Sequence, residues 1–258
     1  MNQNKITLEP FFNLKDFLAA QTKNYYETTF LDKELLADGI EFYNLYFGYQ
    51  QYPIDERLAL NYAELGPRLG ADLWRSLMPK SEEEVNAFYH LVPFYFFHDL
   101  VRFMDGIHHG QADEIIGFNF DNILDFGGGS GGMSIAIEKS GKEISYYDTS
   151  IICRTWMKWL VDKRKLKIKV LDKAPEAECH EYGLVVAKDI AEHVIDPGSL
   201  YRYFLGIIKP SGKIIFSQVP CCGPEEFAPM HFKVDMVEGE IVYNIEDNLK
   251  SLSRKTWP

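Results

Sequence analysis

The segment Ile123-Leu124-Asp125-Phe126-Gly127-Gly128-Gly129-Ser130-Gly131-Gly132 runs an apolar, strand-like stretch straight into five glycines. Glycine accepts φ > 0 and lets backbone approach a ligand where any Cβ would collide, so a strand, a glycine loop and a following helix make a natural cradle. Two fingerprints fit the same letters. Gly127, Gly129 and Gly132 satisfy G-x-G-x-x-G, whereas Asp125, Gly127, Gly129 and Gly131 satisfy D-x-G-x-G-x-G. The loop by itself does not choose between them, and a plain glycine turn satisfies both.

Downstream of Asp121, short runs rich in Ile and Val alternate with helix-length segments, the pattern of βα units stacked around a mostly parallel sheet. These runs place strands at Asn122 to Phe126, Glu143 to Tyr147, Leu166 to Leu171, Gly183 to Ala187 and Gly212 to Gln218. Strand-like pieces follow at Met230 to Val234 and Glu240 to Ile245. Helices are predicted to begin near Gly131, Ser150, Asp189 and Asp196. The expected class is α/β, with a doubly wound sheet.

Upstream the texture changes. Aromatic residues crowd at helical spacings, and Ile40 to Tyr52 alone carries six of them. Thr29 or Asp32 can cap a helix running through Leu35 and Ile40. Ser81-Glu82-Glu83-Glu84 has the form of a capping box, and the helix it opens, Val85 to about Phe97, is kinked or split at Pro93. The glycine-flanked polar stretch Gly106 to Gly117 reads as a hinge. The chain therefore divides into an aromatic-rich helical cap and substrate-binding region, residues 1–115, and an α/β domain, residues 116–258.

Twenty-seven Lys and Arg against 38 Asp and Glu give a formal net charge of −11 over 258 residues, the wrong sign for holding nucleic acid by its phosphates. No uncharged apolar run reaches the roughly 20 residues that cross a bilayer, and the N-terminal stretch lacks the form of a secretory signal, so a cytoplasmic location without membrane attachment is expected. Cys153, Cys179, Cys221 and Cys222 form no CxxC spacing and read as reduced thiols.

Four separated features together resemble the class I, Rossmann-like S-adenosylmethionine-dependent methyltransferases. They are the LDFGGGSGG loop; Tyr146-Tyr147-Asp148 at the end of the next strand; Val185-Val186-Ala187-Lys188-Asp189-Ile190-Ala191-Glu192-His193-Val194, similar to the family's D-x-L-E-H-V segment; and Ile207-Ile208-Lys209-Pro210-Ser211-Gly212-Lys213-Ile214-Ile215, similar to its L-K-P-G-G turn. The resemblance implies a Rossmann-like domain that binds S-adenosyl-L-methionine and releases S-adenosyl-L-homocysteine. It places Asp125 near the methionine amino group and brings the backbone at Gly127, Gly129 and Gly131 against the cofactor. It sets Asp148 on the ribose hydroxyls and carries over Lys188 and Asp189 as further cofactor-binding residues. Asp172, in KVLDKAP, resembles the position that contacts adenine, although an acid in a surface turn is usually just solvated.

Methyl transfer from a sulfonium is an in-line displacement, so the protein mainly holds the acceptor about 3–3.5 Å from the methyl carbon. A carboxylate acceptor needs no base; an alcohol or phenol benefits from one. His193 is the candidate beside the cofactor and His231 the candidate from the other side, each with the plainer alternative of a wall or surface histidine. Tyr25 and Tyr26 are candidates to contact substrate, although aromatic residues at helical spacing are more often core. His90, His98, His108 and His109 lie near Asp99 and Asp105 without helical ligand spacing, so no metal is expected.

The chain has no Pro-Pro pair, hence no N/D-P-P-Y/F turn of the nucleic-acid amino methyltransferases. An oxygen, hydroxyl or carboxylate, of a small metabolite or small peptide is the expected acceptor. Two alternatives stay open: an NAD(P)-dependent oxidoreductase, although the chain has no YxxxK pair, and a non-catalytic cofactor-binding subunit. The ending NLKSLSRKTWP, close behind the last strands, raises a domain of a longer polypeptide.

Overall fold

Strand β1 (Asn122–Phe126) sits inside a six-stranded sheet ordered β3-β2-β1-β4-β5-β6. Its companions are β2 (Glu143–Tyr147), β3 (Ile168–Val170), β4 (Tyr182–Ala187), β5 (Ile208–Phe216) and β6 (Ile241–Asn244). The pairs from β3 through β5 are parallel, and β6 closes the edge antiparallel to β5. The computed structural model describes residues 33–46, 53–91, 95–104, 112–113, 115–120, 122–216 and 241–244. The expected strand at Met230 to Val234, the caps at Thr29 and Asp32, and residues 106–111 of the expected hinge lie outside these residues; the described part of that stretch is not a hinge, since Ala112, Asp113 and Ile115 to Gly117 are helical and Ala112 and Ile115 are buried in the core.

The apolar runs alternate between two cores. Ile123, Ile144, Leu184 and Val186 face one side of the sheet, while Leu124, Val185, Ile214 and Phe216 face the other. All six residues of β4 are buried, as a central parallel strand covered on both faces requires. Among the described residues the helices before the sheet include α1 (Lys33–Tyr46), α2 (Glu56–Leu77), α3 (Glu82–Leu91) and α4 (Tyr95–Met104); α5 (Gly132–Glu138), α6 (Ile151–Arg164) and α7 (Pro197–Ile207) alternate with its strands. The fold is thus Rossmann-like α/β with an N-terminal helical cap.

Two further local expectations change. The helix expected near Asp189 is only a 3₁₀ turn, Ala191–His193, because Asp189 takes a left-handed φ of 52° and no side chain caps the turn. The next helix waits for Asp196, whose carboxylate accepts from Ser199 N–H at 2.9 Å, and for Pro197 at the first helical position. The second change is α2, a helix that sequence reading leaves unassigned and that holds Gly66, Pro67 and Gly70 inside it. Asp55 starts it by accepting from Leu58 N–H at 2.8 Å. Pro67 cannot donate to the Ala63 carbonyl; His98 of α4 bonds that oxygen through Nδ1 at 2.9 Å instead. The small buried residues of α2 let α4 pack closely on it.

Ser81 and Glu84 form the expected capping box, with Glu84 N–H on Ser81 Oγ and Ser81 N–H on Glu84 Oε2, both at 3.2 Å. Helix α3 ends its described run at Leu91 and α4 begins its own at Tyr95, and the expected kink or split at Pro93 lies outside the described residues. Cap and sheet share one core: Phe42 and Phe96 contact fully buried Trp156 of α6, with ring centroids at 5.4 and 5.2 Å. At its rim, Asp38 of α1 pairs with Lys163 at 2.7 Å and Arg164 at 2.5 Å. Tyr43 packs on Phe97 and Tyr62, and burial pushes its phenol up, as suits a core residue.

Candidate active site

The sheet order reverses between β1 and β4, and at such a switch point the chains leaving the strand ends open a crevice. The glycine loop turns there through Gly127 and Gly129, at φ 73° and 53°, where side chains other than glycine's are strained. Space is short as well. A Cβ on Gly127 would lie 2.6 Å from Ile190 Cγ2, and one on Gly129 2.3 Å from Asp99 Oδ2.

Neighbours hold the loop from several sides. Gly127 N–H donates to the Tyr147 carbonyl at 2.8 Å, Gly129 N–H to Asp148 Oδ2 at 2.9 Å and Ser130 N–H to Asp99 Oδ2 at 2.5 Å. Tyr146 OH donates to the Gly129 carbonyl at 2.5 Å, and Trp156 Nε1–H to that of Ser130 at 2.8 Å. The Ser134 hydroxyl donates to Asp125 Oδ2 at 2.7 Å, and Ser150 N–H to Asp148 Oδ1 at 2.6 Å.

Asp99, Asp125 and Asp148 therefore converge on one loop. Burial pushes Asp125 up to about 7, against the hydrogen bond from Ser134, and the charges of Asp148 and Asp99 add to the rise. Burial likewise pushes Asp148 up to about 6, while the Ser150 and Gly129 N–H groups hold it down. A cation placed among these groups would favour their ionised forms.

A cavity of about 700 Å³ lies between the loop and the cap. Three hydrogen bonds join cap helices to its rim at separate strand ends: Asp99 to Ser130, Thr149 Oγ1 to Asn86 Oδ1 at 3.1 Å, and Tyr89 OH to His193 Nδ1 at 2.5 Å. Of the residues expected from sequence, Asp125, Gly127, Gly129 and Asp148 line one side of this cavity. Lys188, Asp189 and His193 line the side that follows β4.

Two expected residues are not brought to it. Gly131 turns the backbone at φ 78° into α5, and a Cβ there would meet Met157 Sδ at 2.0 Å, inside the core. Asp172 is 79% exposed and pairs with Lys158 on the surface. Tyr25, Tyr26 and His231 lie outside the described residues. Asp99, Tyr89 and Asn86 were not expected at this site; sequence reading named Asp99 only as a neighbour of histidines, and nothing local sets Asn86 or Tyr89 apart from the other polar residues of EEEVNAFYHL. Among the described residues, no group of three or more His, Cys, Asp and Glu is placed to hold a metal ion.

The family model for a methyltransferase domain matches residues 57–247 of the chain. The chain belongs to this family of class I S-adenosylmethionine-dependent methyltransferases. The match sets aside the nicotinamide reading that the loop permitted, and the cofactor is S-adenosyl-L-methionine, with S-adenosyl-L-homocysteine as product. The methyltransferase is 28% identical over 99 residues to a ubiquinone biosynthesis O-methyltransferase of Hydrogenovibrio crunogenus, a match covering 37% of this chain and 41% of that protein. The chain thus spans about two fifths of the length of this curated relative.

Among solved structures, an O-methyltransferase family protein of Burkholderia thailandensis is similar at a TM-score of 0.46 and 13% identity, over 60% of this chain and 52% of that one. A protein of Pyrococcus horikoshii is similar at 0.40 and 21%, over 50% and 64%. The residues of the methyltransferase suit the cofactor. The buried carboxylates of Asp125 and Asp148 would suit its sulfonium and ammonium, and Asp148 would have acceptor lone pairs for its ribose beyond those its two N–H bonds use. No helix of the described residues is long and apolar enough to cross a membrane.

Proposed function

We propose that this methyltransferase places its methyl group on an oxygen, hydroxyl or carboxylate, of a small metabolite or small peptide. The observation that carries the reading is the cavity roofed by α3 and α4, whose volume of about 700 Å³ falls within the range of small-molecule sites, about 300–1,000 Å³. The curated relative is by name an O-methyltransferase, which supports oxygen as the acceptor atom. The net charge of −11 supports a small acceptor over a nucleic acid.

When bound, S-adenosyl-L-methionine supplies an activated methyl on a sulfonium, a leaving group that needs no protonation. The chain's own work is then alignment and exclusion of water. Asp148 takes the ribose hydroxyls, Asp125 and the loop at Gly127 and Gly129 receive the methionine end, and Lys188 and Asp189 line the opposite wall. Residues 1–115 are the substrate-binding region of this reading, with Tyr25 and Tyr26 its candidate contacts to the acceptor. His193 stands at the acceptor side, with His231 a second candidate.

The test is transfer of labelled methyl from S-adenosyl-L-methionine to a panel of phenols, carboxylic acids, short peptides, DNA and RNA. Label on a small oxygen acceptor supports the proposal; label on nucleic acid alone overturns it. Tight cofactor binding with no transfer until a second chain is added would favour a non-catalytic subunit.

A further inference from the structure

Ser130, in the glycine loop, is gripped by two helices at once. Its N–H donates to Asp99 Oδ2 of α4 at 2.5 Å, and its carbonyl accepts from Trp156 Nε1–H of α6 at 2.8 Å. Trp156 packs edge-on against Phe96 of α4, with centroids 5.2 Å apart, so the two grips close into one ring of contacts. Phe96, Phe97, Leu100 and Val101, on either side of Asp99, are buried in the core and fix the place of the helix. The Asp99 carboxylate lies over Gly129, where a Cβ would come 2.3 Å from Oδ2 and 3.0 Å from Cγ. Glycine at this position makes room for a carboxylate of the cap.

Asp99 belongs to the cavity as well as to the loop. It lines the space together with Asp125 and Asp148, and its charge raises both of their carboxyls. Among the described residues no Lys, Arg or His forms an ion pair with any of the three. Arg154 donates to the Asp148 carbonyl, not to its carboxylate. Like charges gathered in a partly buried space repel one another, and a cation among them favours all the ionised forms together. Among the described residues no three acids, histidines or cysteines are placed to hold a metal ion. An alkylammonium fits instead: it directs three N–H donors outward, and a carboxylate keeps acceptor lone pairs beyond the one that a backbone N–H uses.

We propose that Asp99 is a cofactor-binding residue that receives, together with Asp125, the ammonium at the methionine end of S-adenosyl-L-methionine, so that the helical cap and the α/β domain build the cofactor site jointly. This rests on the reading that the methionine end lies at Asp125. The Ser130 bond is kept, since it uses one lone pair of the carboxylate and leaves the others for the ammonium. The α4 helix then meets the cofactor directly, 31 residues in sequence from the loop residue it holds. The ammonium is common to S-adenosyl-L-methionine and S-adenosyl-L-homocysteine, so Asp99 serves the binding of both.

The experiment titrates wild type, Asp99→Asn and Asp125→Asn with S-adenosyl-L-homocysteine and with its deaminated analogue, which keeps the adenosine, the thioether and the carboxylate but has no ammonium. The amide of Asp99→Asn still offers an oxygen to Ser130 N–H, so the charge goes while the hold on the loop stays. Asp99→Asn should lose about ten- to a hundredfold in affinity for S-adenosyl-L-homocysteine, the worth of a hydrogen bond between charged groups, and nothing for the deaminated analogue. Equal loss for both ligands, which would make Asp99 a support of the loop alone, or loss for neither, overturns the proposal. Selective loss in Asp125→Asn with none in Asp99→Asn overturns the proposal and leaves the methionine end at Asp125; no selective loss in either variant overturns that placement as well. Where melting curves show Asp99→Asn unfolded, Asp99→Ser, smaller and still able to accept from Ser130, takes its place with the same expected result. A wild type that binds neither ligand overturns the proposal together with the cofactor reading beneath it.

Discussion

Asp148→Asn keeps the shape of the side chain and removes its charge, so it separates cofactor binding from packing. In the wild type each carboxylate oxygen accepts a backbone N–H, Oδ2 from Gly129 at 2.9 Å and Oδ1 from Ser150 at 2.6 Å. Asparagine has one acceptor oxygen, so one of those donors must face an NH₂ group, which costs about 1–3 kcal/mol of stability. The ribose hydroxyls lose a charged acceptor at the same time. Hydrogen bonds to charged groups contribute about 1.5–3 kcal/mol each, so a loss of about 3 kcal/mol, roughly a hundredfold in Kd for S-adenosyl-L-homocysteine, is expected. Burial places the Asp148 carboxyl at about 6, so it is ionised above that value and neutral below it. The gap between wild type and variant should therefore be full at about pH 7.5 and shrink at about pH 5, where the wild type also carries an uncharged group. Calorimetric titration at both pH values, with melting curves to show that the variant is folded, reads the effect. His193→Ala, which removes nothing from the ribose side, should bind as the wild type does. Equal affinity of wild type and Asp148→Asn near pH 7.5 would refute the placement of the ribose at Asp148.

Gly129→Ala, at φ 53° with its new Cβ 2.3 Å from Asp99 Oδ2, should lose cofactor binding and about 1–3 kcal/mol of stability. Gly141→Ala, at φ 84° in open space, is the control: it should show strain in a thermal melt but bind cofactor normally. Trp156→Phe leaves the Ser130 carbonyl without its 2.8 Å donor and should cost about 1–3 kcal/mol in a denaturant titration; unchanged stability would mean that this bond does not hold the loop. Asp125 and Asp148 are raised from 3.8 to about 7 and about 6, so the folded protein retains protons that the unfolded chain releases. Between about pH 4 and 7 their contribution to stability must fall as pH rises, by the order of a few kcal/mol across the window. Melting of the cofactor-free protein at about pH 5 and 7.5 checks this, and stabilisation by the cationic cofactor should be larger at the higher pH, since a rising melting point with pH would contradict the burial of these groups.

The sheet was legible because its signals are local. A strand such as Tyr182–Ala187, apolar on both faces, and the glycines behind β1 announce themselves within a few letters. The segment 188–194 shows where this stops: its residues line one wall of the cavity, yet the left-handed Asp189 is followed by a short turn rather than a helix. The cap was half-legible. Capping at Ser81 could be read, whereas α2 was hidden because its glycines and proline serve close packing against α4, a property of the pair and of neither helix alone. Asp99, Tyr89 and Asn86 reach strand ends 31, 104 and 63 residues away in the chain, and no spacing rule encodes such contacts.

The most direct measurement is calorimetric titration of the protein with S-adenosyl-L-homocysteine, beside NAD and NADP at the same concentrations. Micromolar binding of the homocysteine compound alone is the predicted result; binding of a nicotinamide cofactor, with no heat from S-adenosyl-L-homocysteine, would contradict the reading of the glycine loop and of the residues gathered around it.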